Sequence, residues 1–283
     1  MDLLNLIRRV EEKWLARLYI HCRHLFDAVF LPSHDHLHHH RVWEFAKGIM
    51  HGLNNSGHDI SPGLVEQLII AAFFHDTGLT VTLDEKHGAA SRMFCRDYLR
   101  EPGVPDTGGL ANDELLKAIE HHDDKSFSAG TGEGDGMMSG LQDILTGSDD
   151  LDALGATGIY RYAEIYLLRG VNARELPGRV LENLDARFRK LLFMFGGIPG
   201  FTGRQTPRYH LVRDFYERLN KDVPSGRVNP PWESVLIDLI AINIERRVNL
   251  MDPDVPVPDA GPEIKSFLKV LHSEIPAFSP PAV

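Results

Sequence analysis

An all-α bundle is the fold this chain predicts, and three observations predict it. Apolar residues recur at helical spacing from one end of the 283 residues to the other. Alternating β-branched runs, the mark of half-buried strands, are nearly absent. Clusters of glycine, proline and asparagine cut the apolar pattern into segments of helix length. A chain of this size can bury a sizeable core.

The elements follow in order. Leu3, Leu6, Ile7, Val10, Trp14, Leu15, Leu18 and Leu25 form one wide apolar face, predicting a helix from Leu3 to about Phe30. Pro32 and Ser33 break it. Ser33 or Asp35 then caps a helix from about His36 to Leu53, with Val42, Phe45, Ala46 and Ile49 inward. Asn54 to Gly57 is a turn, and Ser61-Pro62-Gly63 starts a helix that ends at His75-Asp76. Gly78 turns the chain into a further helix ending near Leu99, and another runs from Asp113 to about His122. The stretch from Ser128 to Gly136 is glycine-rich and reads as a loop. Beyond Asp149 helices are expected at Ile159–Arg169, Val180–Phe195, Tyr209–Leu219, Trp232–Met251 and Ile264–His272. Trp14, Trp43 and Trp232 fall in helical patterns as core or interface residues. A main domain over residues 1–223 and accessory helices over 224–283 are expected, because proline-rich connectors follow Pro224.

Charge and composition narrow the function. A net charge of −10 argues against binding nucleic-acid polymers or anionic membranes through bulk electrostatics. It does not oppose binding a small phosphate ester beside a metal, where a local cation outweighs the global charge. Cys22 and Cys95 lack metal-ligand spacing and read as reduced thiols. No stretch approaches the roughly 18–20 apolar residues of a membrane span, and the N-terminus lacks the features of a signal peptide. A cytoplasmic location is expected.

The most informative residues are His75 and Asp76, at the end of the apolar run Leu68 to Phe74. Burying either side chain unpaired would cost roughly 2–7 kcal/mol for a neutral polar group, and more for a charge. A divalent metal satisfies both at once. His38, in His38-His39-His40-Arg41-Val42-Trp43, and Asp149, in Ser148-Asp149-Asp150-Leu151-Asp152, complete an ordered His, His-Asp, Asp set. Asp150 would face about 100° from Asp149 on a helix, which leaves Asp149 the clearer ligand.

That order, with its flanking residues, resembles the HD-domain metal-dependent phosphohydrolase superfamily, and is closest in pattern to small bacterial nucleotide-hydrolysing HD proteins. Ser33-His34-Asp35 followed by His38, Arg41 and Val42 looks like the family's first helix. Phe73-Phe74-His75-Asp76-Thr77-Gly78 looks like its signature, and Ser148 to Asp152 like its last ligand segment. The resemblance spans about Ser33 to Val223. It implies a helical bundle carrying ligands on facing helices. His38, His75, Asp76 and Asp149 would hold a divalent ion (Mn, Mg, Zn, Co or Fe), and water activated there would attack phosphorus.

The resemblance also bears on a second ion. His87-Gly88-Ala89 looks like an intermediate ligand position of the two-metal branches, and His121-His122 like the paired histidines that follow. Asp76 is the residue the resemblance puts between two ions, with His121 and His122 beside it in the catalytic group. The Gly-Tyr-Pro signature of one such branch is missing. In the nucleotide-hydrolase alignment His122 is the matching histidine, with Asp123-Asp124-Lys125 inserted before Ser126-Phe127-Ser128, and Gly147 replaces an expected acid.

Substrate phosphate contacts are expected from Arg41, Lys86 and Lys125, and Arg41 is equally readable as pairing with an acid between helices. His39 and His40 point away from His38 on a helix and read as solvated or as supporting the ligands. Asp152 reads as an acid behind the ligands. The expected function is metal-dependent hydrolysis of a phosphate ester or anhydride, of a nucleotide or other small phosphorylated metabolite. The alternative is a two-metal phosphodiesterase or di-iron oxygenase. The oligomeric state is left open, a homo-oligomer included.

Overall fold

The structure, a computed structural model, describes residues 2–84, 86–105, 109, 113–123, 138–222, 230–257 and 260–275. Lys125, the glycine-rich stretch and the connector around Pro224 lie outside the described residues. Within them the chain forms eleven α-helices and no strand. These are α1 (Leu3–Phe26), α2 (His36–Asn55), α3 (Pro62–Phe74), α4 (His87–Tyr98), α5 (Asp113–Glu120), α6 (Leu141–Asp152), α7 (Gly155–Leu168), α8 (Leu176–Phe195), α9 (Phe201–Asp222), α10 (Trp232–Arg246) and α11 (Pro262–Glu274). A 3₁₀ turn, Thr77–Thr80, joins α3 to the segment before α4.

The centre of the bundle is α3. Its Leu68, Ile69, Ile70, Ala71, Ala72, Phe73 and Phe74 are buried on every side. It packs against α1, α2, α4, α5 and α6, while α2 lies along α6. A helix buried all round is apolar all round, so its C-terminus delivers His75 and Asp76 into the interior.

Several boundaries differ from expectation. The first helix stops at Phe26, four residues before the expected end. Helix α9 starts at Phe201 rather than Tyr209 and carries Pro207 inside it. Proline removes one N–H and crowds the carbonyl four residues back, yet Phe201, Tyr209, Val212 and Tyr216 are all buried, and their packing holds the helix through it. Trp14 and Trp43 are fully buried, whereas Trp232 is partly buried and packs on Phe215 and Phe267. Cys22 and Cys95 are free buried thiols. Helices α10 and α11 lie against α7. No helix is long and apolar enough to cross a membrane among the described residues.

Candidate metal centre

Each residue of the site is fixed by local structure. Asp35 caps α2 by accepting from the backbone N–H groups of Leu37 (2.9 Å) and His38 (3.4 Å). His38 therefore sits in the first turn of α2, fully buried. His75 ends α3 and Asp76 leads into the 3₁₀ turn. Asp149 lies on α6, one turn before Asp152. His87 opens α4, and His122 lies two residues past α5.

Two glycines pack the start of α4 against its neighbours, Gly78 from the turn after Asp76 and Gly88 toward the end of α5. A Cβ on Gly78 would lie 1.9 Å from the His87 carbonyl oxygen, and one on Gly88 would lie 2.2 Å from that of Glu120. Only glycine permits backbones this close, and the approach carries His87 to His122.

Two clusters result. In the first, His38 Nε2 lies 3.1 Å from His75 Nε2, 3.3 Å from Asp76 Oδ2 and 3.6 Å from Asp149 Oδ1. His75 Nε2 lies 3.5 Å from Asp76 Oδ2 and 3.8 Å from Asp149 Oδ1. In the second, Asp76 Oδ1 lies 3.0 Å from His122 Nε2 and 3.1 Å from His87 Nε2, which are 3.4 Å apart. Ligands about 2.0–2.2 Å from one ion are themselves about 3.0–3.6 Å apart along a tetrahedral or octahedral edge. Both groups have the spacing that could hold an ion, and Asp76 belongs to both through different oxygens.

The imidazoles are oriented for this. His38 Nδ1 donates to Asp152 Oδ2 at 2.8 Å, His75 Nδ1 to the Ala72 carbonyl at 2.9 Å, His87 Nδ1 to that of Asp84 at 2.9 Å, and His122 Nδ1 to that of Ile119 at 2.8 Å. With Nδ1 committed as donor, the Nε2 atoms of the four rings converge on Asp76 and Asp149. Converging acceptors need protons or cations between them, so the donor set fits divalent metal ions.

The protonation balance differs between clusters. Burial pushes His75 down to about 3, so its ring is neutral. Burial also opposes charging of His122, but the hydrogen bond and charge of Asp76 carry it up to about 9. The same carboxylate raises His87 against its burial. Burial works against ionising Asp76 itself, yet His75 and the hydrogen bonds of His122, His38 and His87 hold it well below the usual carboxylate range. Asp149 is likewise held low, against burial, chiefly by Arg161.

Around the clusters stands a shell of buried ion pairs. Asp152 accepts from His38, from Arg41 through Nε at 2.8 Å and Nη2 at 2.9 Å, and from Arg161 Nη1 at 3.2 Å. Arg161 Nη2 lies 3.0 Å from Asp149 Oδ1 and 3.3 Å from His38 Nε2. Arg187 pairs with Asp150, with Asp123 at 3.0 Å and with Asp149 Oδ2 at 3.5 Å. Nearby, Glu164 accepts from Ser33 Oγ at 2.6 Å, and Ser33 Oγ contacts His34 Nδ1 at 2.9 Å.

Several expected residues are placed differently. His121 does not join the site: its side chain is 55 % exposed while its neighbour His122 is buried. Arg41 is buried against Asp152 and holds α2 to α6 rather than facing a substrate. Lys86 is exposed at the N-cap of α4. His39 and His40 are buried, not solvated; His39 packs between the His38 and His75 rings with its Nδ1 on the Ala72 carbonyl. Arg161, Arg187 and the Ser33–His34–Glu164 group were not singled out by sequence, since no motif marks an arginine that faces buried acids.

A cavity of about 60 Å³ beside Asp76, His87, His122, Asp149 and Arg161 adjoins a cleft of about 1120 Å³. The two share His122, Asp123, Tyr166, Arg169, Asn183 and Arg187.

A helical bundle with His/Asp clusters on facing helices is an architecture that suits divalent metal ions. Residues 37–154 match the family model of the HD domain, and this match and the His/Asp clusters together fit the HD superfamily of metal-dependent phosphohydrolases. Neither a curated protein nor a solved structure matches the chain.

Proposed function

We propose that this enzyme is a two-metal HD hydrolase that cleaves a small phosphate ester or anhydride, with a nucleotide or similar phosphorylated metabolite as substrate. The single observation that carries the reading is Asp76, whose Oδ2 faces His38 and His75 while its Oδ1 faces His87 and His122. His38, His75, Asp76 and Asp149 would hold one ion, and Asp76, His87 and His122 the other. Ions so held would supply a hydroxide nucleophile at neutral pH and would neutralise charge on the phosphoryl oxygens.

The chain's own groups do the rest. Arg161 lies beside the first cluster with Nη2 3.0 Å from Asp149, where a fixed guanidinium stabilises negative charge as it develops on a phosphoryl group. Arg187 fixes Asp149 from the other side. His34, ordered by Ser33 and Glu164, lines the small cavity and can exchange a proton with a group bound there.

The test is metal content of protein purified without chelator, alongside hydrolysis of an aryl phosphate and a nucleotide panel. Two ions per chain and phosphate release are expected, with both lost in Asp76→Ala and metal content halved in His87→Ala. One ion per chain, or full hydrolysis by Asp76→Ala, would overturn the reading. One observation favours a second reading: four imidazoles against two carboxylates make a nitrogen-rich set that suits iron. Two irons, with dioxygen uptake and no phosphate release, would identify a di-iron oxygenase instead.

A further inference from the structure

Helices α7 and α8 form a hairpin beyond the residues that match the HD domain, and their side chains form two rungs by contact and a third by lining one cleft. Innermost, Arg161 and Arg187 both reach Asp149, at 3.0 and 3.5 Å. In the middle, Asn183 Nδ2 donates to the Tyr166 hydroxyl at 3.0 Å. Outermost, Arg169 and Arg179 both line the large cleft. Each pair of positions is centred on the turn near residue 174, as an antiparallel hairpin requires. The outer rung stands eight residues beyond the inner one on each helix, about 12 Å along the axis at 1.5 Å per residue.

The two arginine rungs differ in how they are satisfied. The inner guanidiniums are surrounded by Asp123, Asp149, Asp150 and Asp152. In the outer rung, Arg169 donates Nε to the Leu83 carbonyl at 2.6 Å, and no acid pairs with it among the described residues. Its side chain borders both the small cavity and the cleft. Arg179 meets Glu175 at 3.8 Å in an exposed pair, a contact worth little. The cleft is lined by Arg169, Arg179, Arg187, Arg189 and Lys190 against Asp84, Asp123, Asp150 and Glu182, and Asp123 and Asp150 are both paired with Arg187. Two guanidiniums at one end of a cleft, with so little carboxylate to match them, favour an anion between them.

We infer that Arg169 and Arg179 form a second anion site, so that the substrate is an elongated phosphate ester carrying a distal phosphate or carboxylate at the outer rung, whose backbone positions stand about 12 Å beyond those of the inner one. The inference rests on the hydrolase function proposed above for the inner end of the cleft. Tyr166 and Asn183 lie between the two ends, beside the linking part of the molecule.

The experiment is calorimetric binding to the metal-loaded full chain of three probes of equal chain length: a monoalkyl phosphate, an α,ω-alkanediol bisphosphate and an ω-carboxyalkyl phosphate. The bisphosphate is expected to bind at least tenfold more tightly than the monoalkyl phosphate. Arg169→Ala/Arg179→Ala should abolish that gain, Arg179→Ala alone should remove most of it while leaving the monoalkyl phosphate unchanged, and lysine at both positions should restore most of it. The carboxyalkyl probe tells which anion the outer site takes. Equal binding of all three by the wild type, or a gain that survives the double variant, overturns the inference. Failure of the monoalkyl phosphate to bind at all counts against the hydrolase reading instead, and variant-sensitive bisphosphate binding would then still establish the outer site.

Discussion

Asp152 Oδ2 accepts a hydrogen bond from His38 Nδ1 at 2.8 Å, and this contact sets the ring through which α2 reaches the metal centre. The same carboxylate takes Arg41 on both oxygens' sides and Arg161 as well, which holds its pKa well below the usual range despite burial. Asp152→Asn keeps the shape but weakens the anchor. Groups behind a metal ligand typically change affinity by about 10- to 100-fold when altered. The expected outcome is a loss of that size for the first ion in chelator competition, with helical content retained. Unchanged affinity would mean that the His38 ring is held by packing alone.

The two clusters should load with different pH dependence. His75 is pushed down to about 3 by burial and presents a neutral ring throughout the working range. His122 is carried up to about 9 by Asp76 against its burial, so the metal-free second cluster holds a proton at pH 7. An ion entering there must displace that proton, and displacement becomes harder as pH falls. Between pH 8 and pH 6 the second ion's apparent affinity should fall about 100-fold for one proton released, while the first changes much less. Calorimetry in buffers of different ionisation enthalpy reads the proton count directly. Equal pH slopes for both ions would contradict the assignment.

Gly88 offers a way to separate the clusters. A methyl group there meets the Glu120 carbonyl oxygen at 2.2 Å, so Gly88→Ala must push α4 away from the end of α5. Overpacking of this kind costs about 1–3 kcal/mol. His87 and His122 should part, lowering metal content from two ions to one, whereas His38, His75 and Asp149 stay together. A variant that retains both ions would show that the helices yield without moving the ligands.

The C-terminal helices lie against the helix that carries Arg161, and one of their side chains caps it. Glu274, at the end of α11, accepts from the backbone N–H groups of Ala156 (3.0 Å) and Thr157 (2.9 Å) in the first turn of α7. It thus caps the helix that carries Arg161. Removing a cap of this type costs about 0.5–2 kcal/mol, and the negative charge at the helix N-terminus adds to it. Glu274→Ala should lower the melting temperature by about 2–6 °C for a chain of this size, and Glu274→Gln by less. A melting temperature unchanged in the alanine variant would leave α11 without this role.

How much of this was legible in the sequence depended on which residues carried a pattern. His38, His75, Asp76 and Asp149 were readable because ligand types recur in a distinctive order beside an apolar helix. Helix periodicity was legible for the same reason, and failed at Pro207, where buried Phe201 and Tyr209 override a breaker. For His39 and His40 the sequence left two readings open, solvated or supporting the ligands, because turning away from His38 usually means facing solvent. Here every residue from His38 to Trp43 is buried, and His39 supports the His38 and His75 rings. Arg161 and Arg187 lay beyond reach: their role depends on acids 12 and 37 residues away, brought to them only by the packing of α6 against α7 and α8.

Adjacent histidines give the sharpest test of the second cluster. His121 and His122 are neighbours in sequence, and both suit a metal ligand by type. In the fold His122 turns inward to Asp76, with its Nδ1 on the Ile119 carbonyl, while the His121 side chain faces solvent and its carbonyl accepts from Gln142 at 3.2 Å. His121→Ala therefore leaves metal content and turnover within about twofold of wild type, as exposed substitutions usually do. His122→Ala removes a ligand and the partner of a buried carboxylate together, so the second ion should be lost and turnover should fall by at least about 100-fold. Inductively coupled plasma measurement on both variants decides it. If His121→Ala loses the ion and His122→Ala keeps it, the end of α5 is rotated by one residue from the arrangement described, and the second cluster must be rebuilt around His121.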